Sequence, residues 1–108
     1  MLEHEIQQAI LARIGCSRVL TVWRNNTGTI RDHRGVPVRF GLVGSADVLG
    51  VAMPSGRFIA IEVKQPGARL TPSQKAFGEM VRAHGAVYVL AHSVDEAIDG
   101  LRAHGIEV

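Results

Sequence analysis

The sequence has a single cysteine, only four prolines and no long apolar run in its 108 residues. The lone Cys16 can close no internal disulfide, so the chain does not read as a stapled secreted scaffold and suits a reducing cytosol. No stretch approaches the ~20 apolar residues of a bilayer span, and MLEHEIQQAI lacks a basic-then-apolar leader. The expected location is therefore cytoplasmic. Five histidines occur without H-x-x-H or H-E-x-x-H spacing, which leaves His33 in RDHRG without a metal-binding companion. There is no G-x-S-x-G, phosphate loop or dinucleotide fingerprint. Repeats, low-complexity tracts and linkers are also missing, so residues 1–108 are expected to form one domain.

What is present is a well-fed core and an uneven charge. Hydrophobic residues make up 46% of the chain, and a chain of this size buries roughly two-thirds of its unfolded surface. That is enough for a core without staples. The net charge is +2, yet residues 13–82 hold eleven basic and four acidic side chains, for +7, between ends of −2 and −3. Ten of the twelve basic residues are Arg, and six of them lie between Arg13 and Arg39. Arg forks suit phosphates, so the basic middle points to a polyanion; a solvated Arg-rich face is the competing reading of the same charges.

Periodicity organises the rest. Leu2, Ile6, Ala9, Ile10 and Ile14 recur at helical spacing and predict a helix over 2–14, with Gly15 as its stop. RVLTVWR (18–24) reads as a strand with Trp23 in the core, stacking on a base being the other reading of that side chain. Residues 25–41 mix turn formers with Arg and read as a mobile loop or irregular hairpin. ADVLGVAM (46–53) and RFIAIEVKQ (57–65) flank the turn PSG as an antiparallel hairpin. Thr71, Pro72 and Gln74 open a helix that ends before Gly85. AVYVLA (86–91) is a buried strand, and Ser93 with Glu96 form a second capping box for a last helix. The order α-β-β-β-α-β-α predicts an α+β fold with a mixed sheet and helices on both faces.

Three charged residues break the apolar pattern of the central hairpin. Glu62 and Lys64 share one face of their strand, while Ile59, Ile61 and Val63 take the other. The turn places Asp47 across from Glu62. Two carboxylates buried together are costly unless a cation neutralises them, and an oxygen-rich pair of this kind suits Mg²⁺. Beside such an ion, Lys64 can position the attacking water, assist its deprotonation or stabilise phosphate charge. The alternative is a solvated Glu62–Lys64 edge pair with Asp47 as a strand cap. Cys16 reads as a small packed residue.

The run GSADVLG…GRFIAIEVKQPGARLTPSQKAF resembles the PD-(D/E)XK nuclease signature, and more closely its virus-type replication-repair (VRR-NUC) branch. The matched features, in order, are Glu3, Arg24-Asn25-Asn26-Thr27-Gly28, Gly44-Ser45-Ala46-Asp47, Glu62-Val63-Lys64 and Gln74. They cover nearly the whole chain. Position 46 is Ala where the superfamily motif has Pro, and Phe77 stands near the place where some relatives carry a tyrosine.

That resemblance implies a PD-(D/E)XK core and metal-dependent cutting of a DNA phosphodiester. It implies Asp47, Glu62 and the Val63 backbone carbonyl as ligands of Mg²⁺ or Mn²⁺, with Glu3 reaching the site directly or through water. Lys64 would serve the attacking water, and Gln74 would orient it or contact the scissile phosphate. Arg24, Asn25 and Asn26 would hold phosphate oxygens; for the two asparagines ordinary turn chemistry is the other reading. Arg31, Arg34, Arg39, Arg69 and Lys75 could track the DNA backbone. Stand-alone relatives are associated with phage and with homodimers like Holliday-junction resolvases, so a homodimer on branched or four-way DNA is expected. The rival expectation is a catalytically silent DNA-binding module of a replication or repair assembly.

Overall fold

Side-chain alternation along one strand divides the core into two layers. The computed structural model describes residues 1–108 and contains α1 (Glu3–Ile14), β1 (Leu20–Arg24), β2 (Gly28–Arg31), β3 (Pro37–Phe40), β4 (Val48–Ala52), β5 (Phe58–Val63), α2 (Pro72–Ala83), β6 (Val87–Ala91) and α3 (Val94–Ala103). β1, β4, β5 and β6 form one sheet in that order, with β6 parallel to β5 and the other pairs antiparallel. Ile59, Ile61 and Val63 of β5 pack with Ile6, Ile10 and Ile14 of α1 and with Ile98 and Leu101 of α3. Ala60 faces the opposite way, into a smaller cluster with Phe77, Val81 and Tyr88 beneath α2. The mixed sheet with helices on both faces is as the sequence predicts. Ile61 is fully buried, and truncating such a residue to Ala costs about 2–5 kcal/mol.

Four local expectations are corrected. Of the two readings of residues 25–41 the hairpin holds and the mobile loop does not, and the hairpin is regular: β2 and β3 pair in full register from Gly28–Phe40 to Arg31–Pro37, as a separate two-stranded ribbon. Its turn is organised by Asp32, whose Oδ1 accepts from the Arg34 and Val36 amides at 2.8 and 2.9 Å. Trp23 is 46% exposed, because it emerges on the α2 face at β1, beyond the strands that α2 covers. Cys16 is exposed rather than packed. The second capping box is only half made: Ser93 Oγ accepts from the Glu96 amide, but the Glu96 carboxylate turns to His92 Nδ1 at 2.9 Å.

The β5–α2–β6 crossover decides where chemistry can gather. α2 begins at Thr71, whose Oγ1 accepts from the Gln74 amide at 3.2 Å, while Gln74 Oε1 accepts from the Thr71 amide at 2.9 Å. This reciprocal cap fixes the start of α2 over the C-terminal end of β5. No helix is long and apolar enough to cross a membrane.

Candidate active site

Asp47 ahead of β4, Glu62 and Lys64 at the end of β5, and Gln74 in the first turn of α2 meet at one end of the sheet. Asp47 immediately precedes β4 and is held by its neighbours. The Asn25 amide nitrogen Nδ2 donates to Ser45 Oγ at 2.6 Å and to the Ala46 carbonyl at 2.9 Å, and the Asn25 N–H donates to the Asp47 carbonyl at 2.8 Å. Asp47 Oδ2 then accepts from the Val63 N–H at 2.8 Å, which carries its carboxylate across to the end of β5. Gly44 closes the loop ahead of it: its φ of +81° suits glycine, and a Cβ there would collide with Ser73 at the start of α2.

Glu62 is 1% exposed. Its Oε1 accepts from Gln74 Nε2 at 3.1 Å, whereas no donor reaches Oε2. Burial, followed by the charge of Asp47, pushes its carboxyl up to about 9; Lys64 opposes the rise and Glu3 adds the weakest push. Lys64 directly follows β5, half-buried, with its amide donating to the Ala91 carbonyl at 3.0 Å. Glu3 sits half-buried at the start of α1 and acts on Glu62 through its field. No three His, Cys, Asp or Glu side chains converge into a complete cage for an ion.

Two adjacent acids, one of them inside the protein with a donorless oxygen, form a set that a hard divalent cation fits. It would relieve their repulsion and occupy the open lone pairs, while leaving positions for water or phosphate.

A model of the VRR-NUC domain matches residues 3–95 of the 108. The chain belongs to the VRR-NUC family. No curated protein matches it. The VRR-NUC domain is a nuclease domain of a kind that typically uses a divalent metal and takes DNA as substrate, so the chain has a nuclease-type function.

The remaining residues of interest divide by position. Arg24 ends β1 opposite Val48 and is exposed. Asn25 is spent on clamping the Ser45–Asp47 loop, and Asn26 is exposed beside it. Arg31 and Arg39 lie on the same face of the ribbon, since Arg31 pairs with Pro37 and Arg39 with Thr29. Arg34 occupies its turn, paired with Asp32 at 3.4 Å. Arg69 and Lys75 are exposed just before and within the first turn of α2. Sequence reasoning missed the Asn25 clamp and, while placing Tyr88 in a buried strand, gave it no part in the site. The signal for Tyr88 was a solitary tyrosine within an otherwise apolar strand.

Proposed function

We propose that the protein is a Mg²⁺- or Mn²⁺-dependent endonuclease that hydrolyses DNA phosphodiesters, favours branched substrates such as four-way junctions and works as a homodimer. The observation that carries this reading is Glu62: a buried carboxyl with a donorless oxygen, beside Asp47 and flanked by Lys64 and Gln74. Asp47, Glu62 and the Val63 carbonyl would hold the cation, with Glu3 contributing from α1. A cation held there would neutralise the carboxylates and supply the Lewis acidity that polarises a scissile phosphate. Lys64 holds the attacking water or the phosphate charge. Gln74 keeps Glu62 oriented through the 3.1 Å hydrogen bond. Arg24, Asn26, Arg31, Arg34, Arg39, Arg69 and Lys75 supply phosphate contacts, whereas Asn25 acts by positioning Asp47.

Two features support the homodimer. α2 covers only part of its side of the sheet, which leaves Trp23, Val51 and Phe58 exposed on the same face. Beside them a groove of about 570 Å³ runs between Leu49, Phe58, Phe77 and Met80. A twofold pairing over this surface would bury it and give two cutting centres for a two-strand substrate.

The test is a cleavage assay on supercoiled, linear, flapped and four-way DNA with Mg²⁺, Mn²⁺ or EDTA, combined with sedimentation. Metal-dependent cutting, fastest on the junction and by a dimer, is the expected result. DNA binding without cutting under any metal would establish the silent module instead.

A further inference from the structure

Two buried side-chain oxygens in the fold have no hydrogen-bond partner, and both lie on the α2 side of the sheet: Glu62 Oε2 and Tyr88 Oη. Tyr88 is the only tyrosine in the chain and is 3% exposed. β5 and β6 run parallel with Glu62 opposite Leu90, so Tyr88, two residues before Leu90, emerges on the same side as Glu62.

The Tyr88 ring is fixed from three directions. Phe77 meets it edge-on with ring centroids 6.3 Å apart, and the Arg82 guanidinium lies 4.9 Å from its centroid. Gly78 lets it press against α2, since a Cβ there would lie 2.8 Å from the ring. Packing explains the ring but not the hydroxyl. A phenylalanine would fill the same space without burying an unpaired polar atom, which is costly. Burial and then the charge of Glu62 push the phenol up to about 12, with Asp47 adding to the effect, so the hydroxyl keeps its proton and can donate.

Resting on the metal-dependent reading above, we propose that Tyr88 is a positioning residue of the site. Its hydroxyl donates to the Glu62 carboxylate, directly or through one water, when Glu62 serves as a cation ligand. A carboxylate offers about four lone-pair positions, so it can accept from Gln74 and Tyr88 while binding an ion. Held by donors from α2 and β6, Glu62 presents a fixed oxygen to the metal. Partners that orient ligands in this way change metal affinity or activity by roughly 10–100-fold when removed.

The experiment compares the full-length wild-type chain with Tyr88→Phe. In EDTA the variant should melt at or above the wild-type temperature, because the hydroxyl it loses has no partner in the metal-free fold. Calorimetric titration with Mn²⁺ alone should show a dissociation constant raised roughly tenfold or more. Turnover should fall to a similar degree while KM for DNA holds. Unchanged Mn²⁺ affinity and turnover, beside a wild type that binds and cuts, would overturn the role of Tyr88 alone. A melting temperature well below wild type in EDTA would also overturn it, by showing that the hydroxyl serves the metal-free fold. A wild type that takes up no Mn²⁺ overturns the metal-dependent reading itself, and the role of Tyr88 with it.

Discussion

Gln74 divides its amide between two tasks: Oε1 closes the cap of α2 by accepting from the Thr71 N–H, and Nε2 donates to Glu62 Oε1 at 3.1 Å. The residue that starts the helix therefore also sets the orientation of the buried acid. A change in the cap position is transmitted to Glu62, so local helix stability and site geometry are coupled at one side chain.

That coupling separates two substitutions. Gln74→Ala loses both bonds, and it should cost about 1 kcal/mol of stability and lower turnover roughly tenfold or more. Gln74→Glu can keep the capping box but places a third acid against Glu62 and Asp47. It should remain folded, bind Mn²⁺ with altered affinity and cut DNA poorly. Thermal melts and turnover on the same preparations check this; a Glu variant as active as wild type would show that the donated hydrogen bond is dispensable.

Much of this arrangement was legible in the sequence because it rests on periodicities. Alternation through IAIEVKQ placed Glu62 opposite the Ile59–Ile61–Val63 face, and Thr71-Pro72-Ser73-Gln74 announced the helix start. Trp23 was misplaced because alternation assigns a face without saying how far the covering helix extends across it. The ribbon of residues 28–40 stayed open between loop and hairpin because its strands, of four residues each, are almost wholly exposed and have no core to pack on. The role of Asn25 depends on a hydrogen bond to a residue 20 positions away, which no local pattern encodes. Tyr88 was hidden for the opposite reason: its strand reads as uniformly apolar, and only the packed fold shows its hydroxyl without a partner.

Asp47 carries both a structural and a chemical duty, and two variants divide them. Asp47→Ala removes a proposed metal ligand and leaves the Val63 N–H without its acceptor, a loss of about 1–3 kcal/mol. Asp47→Asn retains an acceptor for that N–H but loses the charge. Both should bind Mn²⁺ far more weakly and cut at least a hundredfold more slowly, with the Asn variant melting closer to wild type. Calorimetry and denaturation curves measure the two effects apart. Full cleavage by either chain would remove Asp47 from the site.

The buried acid makes the metal-free protein sensitive to alkali. Native Glu62 keeps its proton up to about 9, while the unfolded chain releases it near the ordinary value of 4.5. Between those values the native state binds more protons, so stability falls as pH rises from about 4.5 to about 9 and then levels off. Asp32 and Glu96, whose carboxyls are held below their ordinary values, lose their contributions only in acid below this window. Melting temperatures in EDTA should therefore decline across this range for wild type and stay flatter for Glu62→Gln. A wild-type profile with no decline would contradict the burial of an uncompensated carboxyl. Mn²⁺ affinity should rise over the same range, since the ion competes with the proton on Glu62.

The ribbon offers the clearest test of how DNA is held. Arg31 and Arg39 lie on one face of it, and Ile30, Val38 and Phe40 lie on the other. Each phosphate contact through Arg releases counterions and adds about 0.9 to the dependence of log affinity on log salt concentration. Replacing both arginines with Ala should weaken binding to every DNA sequence alike and reduce that slope by about 2. Turnover at saturating DNA should hold, because neither residue belongs to the Asp47–Glu62 cluster. Binding measured across a salt series, with Arg102→Ala on the last turn of α3 as the control, gives the answer. An unchanged slope in the double variant would place the DNA path away from the ribbon, along Arg24, Arg69 and Lys75.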